Sequence, residues 1–186
     1  MFVLDSKAHP RRPHPATGAA AKGHGSVPVP AAADRLLVQG QWHFGPAPGR
    51  LRTLLGSCVG VTLWHPKRRL GGMCHYLLPD RRRTHGVPLD ARYGDEALEL
   101  LAQAIARTGA KPNEFIAHLY GGADTMPDRT GVKLNIGERN IERGFSAIDA
   151  LGLQLEGVDV GDNVPRTVAL DIATGEVVMR RGAAVG

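Results

Sequence analysis

The spacing of hydrophobic residues along the chain predicts two helices. Over residues 91–108, apolar side chains recur at the i, i+3, i+4, i+7 interval of one helix face, at Leu98, Leu101, Ala102 and Ile105. Gly109 follows at once and is a typical helix stop. A second helix is predicted over residues 138–151, where Ile141, Phe145 and Ile148 share one side.

Short apolar runs between turn-forming residues predict the strands. They lie at residues 36–38, 41–44, 52–55, 57–64, 70–77, 115–120, 153–158, 167–172 and 177–180. The first two runs read as one short strand with a break at Gly40. Several neighbouring runs are joined by turns of hairpin length, which indicates a mixed sheet. The predicted fold class is α+β, with helices on one side of layered sheet.

The N-terminal segment has a different texture. Residues 1–34 contain five of the 13 prolines and no helical or strand period, so we predict a disordered tail followed by one domain over residues 35–186. No apolar run of signal-peptide or membrane-spanning length occurs. Two cysteines without a disulfide framework suit a reducing compartment, and we expect a soluble, cytoplasmic protein.

A net charge of +5 and a pI of about 9.6 raise the question of a nucleic-acid partner. The surplus is concentrated at residues 67–69 and 81–83, next to strand-like segments, as in solvated turns. No basic helix, aromatic stacking set or zinc-ligand pattern accompanies them. The pattern therefore favours a rim that faces solvent or an acidic protein partner over nucleic-acid binding.

Cys58 and His75 are the candidate reactive pair. Gly56-Ser57 places Cys58 at the threshold of one strand, and His75 lies in the next, across the turn at residues 65–69. A hairpin centred on residues 66–67 would make Cys58 face His75, about 5 Å apart at Cβ. A one-residue slip would move His75 to the other face. An imidazole beside a thiol is a common means of generating the reactive thiolate.

Other polar features of the chain have plainer interpretations. Cys74 lies within a continuous strand and is expected to be buried and inert. Neither CxxC nor HxxxH spacing occurs, so we expect no metal and no cofactor. Residues 135–140 could form a substrate-binding loop, but a helix N-terminus capped by Asn135 is favoured. Gly121-Gly122 reads as a tight turn rather than a phosphate cradle.

With these residues in view, the chain resembles the CheD family of bacterial chemotaxis proteins from about residue 36 to residue 182. Seven ordered blocks carry the resemblance. They are residues 53–59 (TLLGSCV), 72–79 (GMCHYLLP), 120–123 (YGGA), 135–141 (NIGERNI), 159–162 (DVGD), 166–171 (RTVALD) and 174–176 (TGE).

The resemblance implies a chemoreceptor glutamine deamidase on a layered α/β/β sandwich with mixed, largely antiparallel sheets, similar to toxin-type cysteine deamidases. Carried over by position, Cys58 is the nucleophile, His75 the general base and acid, and Thr53 the residue that orients the imidazole. The implied partners are the cytoplasmic helices of methyl-accepting chemoreceptors and, for some members, a CheC-like phosphatase.

Two alternatives stay open at this stage. The same site could hydrolyse receptor glutamyl methyl esters, whose tetrahedral chemistry is nearly identical to that of deamidation. The chain could instead act chiefly as an adaptor that binds the receptor or a CheC-like phosphatase, with catalysis secondary.

Overall fold

The computed structural model of the protein describes residues 34–47, 49–124 and 135–183. The elements are β1 (Asp34–Leu36), β2 (Trp42–Pro46), β3 (Arg50–Leu55), β4 (Val59–His65), β5 (Leu70–Tyr76), α1 (Gly94–Arg107), a short 3₁₀ helix (Pro112–Glu114), β6 (Ile116–Gly121), α2 (Ile136–Leu151), β7 (Gln154–Val160), β8 (Arg166–Asp171) and β9 (Val177–Arg181). The tail predicted at residues 1–34 lies outside the described residues, apart from Asp34.

The strands form two sheets. The larger sheet has the order β2-β5-β4-β6-β7 and is antiparallel except between β6 and β7. The smaller sheet has the order β1-β3-β8-β9 and is antiparallel except between β1 and β3. Both predicted helices are present with ends that differ from the prediction by at most three residues.

The two sheets and the helices make three layers. Both helices pack on one face of the larger sheet, and a core of Val59, Val61, Leu98 and Leu101 fills that interface. A second buried cluster lies between the two sheets and includes Leu51, Leu55, Met73 and Leu170. The predicted α+β class, with two mixed sheets and helices on one side, is confirmed. No helix in the described part of the chain is long and apolar enough to cross a membrane.

The single broken strand predicted around Gly40 is wrong. Its two halves are β1 and β2, which belong to different sheets, so the segment between them crosses from one sheet to the other. Gly40 has a φ of +76°, and a Cβ there would lie 2.6 Å from Cγ of Arg92. The break is therefore a change of sheet that needs glycine.

The predicted register of the β4–β5 hairpin is also wrong. The ladder pairs His65 with Leu70 and Gly60 with His75, two residues away from the predicted pairing of Cys58 with His75. The reason is a four-residue loop, residues 66–69, in which the N–H of Arg69 donates to the carbonyl of His65 and Arg69 has a φ of +48°. A two-residue shift keeps the same side chains on each face of the sheet.

Arg166 ties the two sheets together. It lies on β8 of the smaller sheet with no exposed surface, and its Nε donates to Asp159 of β7 in the larger sheet at 2.6 Å. Its Nη1 donates to the carbonyls of Gly161 and Val164, each at 2.7 Å. Arg181 also binds Asp159, but its side chain is half exposed.

We expect Arg166→Ala to lower the free energy of unfolding by about 3–5 kcal/mol, because it leaves Asp159 and two carbonyls without their buried partner. The matched control is Arg181→Ala, which removes the exposed cation from the same carboxylate and should cost less than about 1 kcal/mol. Urea denaturation of both variants measures the difference. Equal losses would contradict the assignment of Arg166 as the tie between the sheets.

Candidate active site

Thr53 faces the space between the two sheets. On β3, burial alternates so that Leu51, Thr53 and Leu55 point inward while Arg52 and Leu54 point outward, as the two-residue period of a strand requires. The Thr53 hydroxyl is therefore fully buried. Its Oγ1 donates to the carbonyl of Leu37 at 2.9 Å.

His75 meets Thr53 from the opposite sheet. It lies near the end of β5, and its Nδ1 is 2.8 Å from Thr53 Oγ1. The backbone of His75 is held on the β2 side, where its N–H donates to Gln41 and its carbonyl accepts from Gly40. The smaller sheet thus binds the ring of His75, while the chain that leads into β2 binds its backbone.

The network assigns the tautomer of His75. Thr53 has a single hydroxyl proton, which it donates to the carbonyl of Leu37, so it accepts from His75 Nδ1–H. Nε2 is then the unprotonated nitrogen of a neutral ring. It is buried and has no hydrogen-bond partner among the described residues. The site therefore presents a free basic nitrogen, as a general base requires.

Cys58 lies just before β4, on the side of the larger sheet that faces Thr53. It belongs to the buried cluster between the sheets, together with Leu37 and Leu55. Extending the observed ladder makes Cys58 the diagonal neighbour of His75, a relation that spans about 7–8 Å between Cα atoms in regular sheet. Cys58 and His75 share a face, although they do not stand directly opposite each other as predicted.

One segment, residues 37–41, contacts all three candidate residues. The carbonyl of Leu37 accepts from Thr53, and the backbone of Gly40 and Gln41 binds His75. The side chain of Gln39 lies close enough to Cys58 to lower the pKa of its thiol. The segment that passes from one sheet to the other therefore also lines the candidate site.

The carbonyls of Gly56, Ser57 and Cys58 are each bound. Those of Gly56 and Cys58 accept from the N–H groups of Ala123 and Gly122, both at 2.8 Å, and that of Ser57 accepts from the side chain of Asn140 at 3.1 Å. The segment that contains Cys58 is thus held residue by residue against the chain after β6 and against α2.

Glycines allow α2 to approach this loop. A Cβ on Gly137 would lie 2.4 Å from the carbonyl oxygen of Gly122, and Gly122 has a φ of +68°. Gly121 and Gly122 both have positive φ, but the predicted tight turn is not formed there, because the chain continues beside residues 56–58 after β6 ends. Asn135 occupies the N-cap position of α2, but its side chain makes no capping hydrogen bond.

Burial keeps both reactive groups neutral at rest. It raises the pKa of the Cys58 thiol, an effect that the Gln39 side chain partly offsets. It also lowers the pKa of His75, against a smaller opposing effect of the Leu37 carbonyl. Neutral thiol and neutral imidazole are therefore the resting pair at pH 7. Cys74 lies fully buried within β5, where burial raises its pKa to about 12.

The arginines after Pro79 are not one uniform rim. Arg81 binds the buried carboxylate of Glu96 at 2.7 Å and also donates to the carbonyl of Pro88. Arg83 lies 3.7 Å from Glu99, and Arg82 is exposed. Arg81 is thus a structural residue, and only the other two could contribute to a field that steers an acidic partner.

The candidate site does not coincide with the wider clefts. One cleft of about 440 Å³ is lined by Gly40, Trp42, Arg81 and Leu100, and none of Thr53, Cys58 or His75 borders it. The described residues include no group of three or more His, Cys, Asp or Glu side chains placed to hold a metal ion.

The sequence predicts Thr53, Cys58 and His75 as site residues, and the structure places them on facing sides of the space between the sheets. The sequence does not predict the residues that hold them. Leu37 acts through its carbonyl, which no side-chain pattern reveals. From the sequence, Asn140 is predicted only to be part of a helix start or a substrate-binding loop. A signal existed there, since a polar residue one position before the apolar Ile141 could be expected to face partly inward.

Comparison with known proteins shows which family the chain belongs to. A family model described as CheD chemotactic sensory transduction matches residues 77–181, more than half of the chain. That match begins two residues after His75. Sequence similarity over the candidate site itself therefore comes from individual relatives whose alignments cover most of the chain.

Three of these relatives bear the name probable chemoreceptor glutamine deamidase CheD. The protein of that name numbered 1 in Chromobacterium violaceum is 42% identical over 170 residues, covering 90% of this chain and 88% of its own. The one numbered 3 in Dechloromonas aromatica is 44% identical, covering 74% and 81% of the two chains. That of Pseudomonas syringae pv. tomato is 40% identical, covering 76% and 85%.

The first of these alignments leaves only a tenth of this chain unmatched, so it spans the segment from Thr53 to His75. Fold, site geometry and sequence likeness agree along the length of the domain. The chain belongs to the CheD family.

Proposed function

We propose that this protein deamidates glutamine side chains of chemoreceptors to glutamate, with Cys58 as the nucleophile, His75 as the general base and acid, and Thr53 as the residue that orients His75. The observation that carries the proposal is the bond from Thr53 to Nδ1 of His75, which leaves Nε2 free as a base beside the Cys58 segment. The names of the relatives supply the substrate class.

The first half of the reaction forms a thioester. His75 Nε2 takes the proton of the Cys58 thiol while the sulfur attacks the carbon of the substrate side-chain amide. The carbonyl oxygen becomes an oxyanion, which backbone N–H groups near Cys58 stabilise. As the carbon–nitrogen bond breaks, His75 returns the proton to nitrogen, and ammonia leaves.

The second half hydrolyses the thioester. Nε2 takes a proton from a water molecule, and the resulting hydroxide attacks the thioester carbon. The carbon–sulfur bond then breaks, Cys58 regains its proton from His75, and the product is glutamate. Throughout, Thr53 accepts from Nδ1–H and so stabilises the ring when it becomes positively charged. A hydroxyl does this less strongly than a carboxylate would.

The resting protonation states of Cys58 and His75 favour a mechanism in which the proton moves from sulfur to nitrogen only after the substrate has bound. Since burial raises the pKa of Cys58 and lowers that of His75, a preformed thiolate–imidazolium pair is disfavoured. Desolvated neutral groups avoid attracting water into the site. The two free thiols fit an enzyme that works in the reducing cytoplasm.

The direct test of the function is peptide mass spectrometry of a purified receptor cytoplasmic fragment incubated with the full-length protein. Deamidation replaces an amide nitrogen by oxygen, and in heavy-oxygen water the new oxygen carries the label. Hydrolysis of a methyl ester instead removes a methylene unit, so the two reactions give different masses. Mass changes only of the second kind would replace the proposed function by a methylesterase.

A binding role is tested with the same fragment. An adaptor would retain its biological effect when Cys58 is replaced by Ala, whereas an enzyme would lose it. Association with a CheC-like phosphatase stays a prediction that rests on the family resemblance, and co-purification from cells that contain such a phosphatase would test it.

We expect Cys58→Ala to abolish deamidation and Cys74→Ala to retain most of it. The two thiols differ in their surroundings. Cys58 lies between the sheets on the face of His75, while Cys74 is fully buried within β5 with a pKa of about 12. Iodoacetamide should accordingly label Cys58 in the native protein, faster at pH 9 than at pH 7, and leave Cys74 unlabelled. Equal loss of activity in two folded variants would contradict the choice of nucleophile.

We expect Thr53→Val to lower kcat for deamidation by about tenfold, the worth of one buried hydrogen bond of roughly 1.4 kcal/mol. KM should change little, because Thr53 contacts His75 and Leu37 and is fully buried. Thr53→Ser is the matched control, since it keeps the hydroxyl, and it should stay within about threefold of the wild type. Steady-state kinetics on the receptor fragment distinguish the two. Similar losses in both variants would mean that packing at position 53 matters more than the hydroxyl.

A further inference from the structure

Asn140 is the feature of the site that the proposed chemistry does not yet use. It lies in the second turn of α2 with no exposed surface, which is unusual for a carboxamide side chain. Its Nδ2 donates to the carbonyl of Ser57 at 3.1 Å and to the carbonyl of Leu77 at 2.8 Å. Since carbonyl oxygens only accept, the amino group must face both, which fixes the orientation of the carboxamide.

The two carbonyls lie just outside two neighbouring strands, Ser57 before β4 and Leu77 after β5. Ser57 immediately precedes Cys58, and Leu77 lies two residues after His75. One side chain on α2 therefore joins the segment of the nucleophile to the strand of the base. The Oδ1 of Asn140 is buried without a partner among the described residues, which makes the residue a poor choice for stability alone.

The hold on Ser57 also aims the next N–H group. In a planar trans peptide, the C=O and the N–H point in opposite directions, so a Ser57 carbonyl drawn towards α2 turns the N–H of Cys58 away from it. Helix α2 packs on one face of the larger sheet, while Cys58 belongs to the cluster on the other face. The Cys58 N–H is therefore turned towards the side on which Thr53 and His75 meet.

This peptide differs from its neighbours in how it is held. The carbonyls of Gly56 and Cys58 are bound by backbone N–H groups, whereas that of Ser57 is bound by a side chain. Cys58 lies outside the strands, and its N–H donates to no backbone carbonyl of the described residues. A substitution at position 140 can thus release one peptide plane and leave the flanking two in place.

We propose that Asn140 is a positioning residue that orients the peptide between Ser57 and Cys58 so that the Cys58 N–H donates to the oxyanion of the acyl-transfer step. The proposal rests on Cys58 being the nucleophile, as in the proposed function. It adds a residue on α2 that acts through the backbone and touches neither substrate nor His75.

The test compares two reactions of the same thiol in the full-length protein. Alkylation by iodoacetamide displaces iodide at a saturated carbon and forms no oxyanion. Acylation by p-nitrophenyl acetate passes through a tetrahedral oxyanion, as deamidation does. A lost oxyanion donor slows the second reaction selectively, whereas a misplaced thiol or imidazole slows both.

We expect Asn140→Ala to lower the ratio of acylation to alkylation by about tenfold to a hundredfold, with alkylation within about threefold of the wild type. The kcat for deamidation of the receptor fragment should fall by a similar factor at nearly constant KM. Asn140→Asp, which has the same shape but an acceptor in place of the amino group, should behave alike. Cys58→Ala supplies the background for both reagents.

Tyr76→Phe is the matched control for loosened packing of α2. The Tyr76 hydroxyl donates to the backbone carbonyl of Asn140 at 2.7 Å, so its removal weakens the contact of α2 with β5 but leaves the carboxamide in place. The acylation-to-alkylation ratio of this variant should stay close to that of the wild type.

Equal losses of acylation and alkylation in Asn140→Ala, or an unchanged ratio, would overturn the positioning role. So would failure of both Asn140 variants to fold, since Asn140 would then be a stability residue. If the wild type acylates and alkylates at Cys58 with the expected split but does not deamidate the receptor fragment, the proposed substrate is wrong while the role of Asn140 stands.

Discussion

The hydrogen bond between Thr53 and His75 crosses the space between two sheets, and the candidate site exists only where those sheets are held at the right separation. β3 and β5 are not neighbours in either sheet, so no ladder fixes their distance. The buried apolar cluster between the sheets sets the distance between them. The Arg166–Asp159 ion pair joins β8 of the smaller sheet to β7 of the larger sheet. Cys58 and His75 are brought together by one hairpin of the larger sheet. Thr53, which selects the imidazole tautomer, comes from the smaller sheet.

A second constraint concerns the backbone of the segment from Gly56 to Cys58. Gly122, Ala123 and Asn140 bind three successive carbonyls, and the contact of Gly137 with Gly122 lets α2 come close enough for Asn140 to reach Ser57. Three sequence blocks that lie far apart along the chain thus serve one purpose. Gly122 and Gly137 allow α2 to approach closely, and Asn140 on α2 binds the carbonyl of Ser57. In the proposed role, this bond orients the peptide between Ser57 and Cys58.

Much of this arrangement could be predicted from the sequence, and the remainder depends on interactions that side-chain patterns do not express. Periodicity located both helices. Helix α1 buries the predicted stripe of Leu98, Leu101 and Ile105, whereas α2 buries Ile148 but leaves Phe145 exposed. The setting of Cys58 after Gly56-Ser57 separated it from Cys74. The hairpin register could not be predicted, since it depends on Arg69 adopting a positive φ in a four-residue loop. The change of sheet at Gly40 and the acceptor carbonyl of Leu37 are backbone features, visible only once the two sheets are placed.

The protonation of the His75 ring is the most direct measure of this account, because every step assigned to the site starts from a free Nε2. Nitrogen NMR of the full-length protein, labelled at histidine and assigned with a His75→Gln variant, reads each ring nitrogen separately. At pH 7 we predict a neutral His75 ring with a protonated Nδ1 and an unprotonated Nε2, because burial lowers its pKa and Thr53 accepts from Nδ1–H. A ring protonated at Nε2 alone, or at both nitrogens, at that pH would contradict the account.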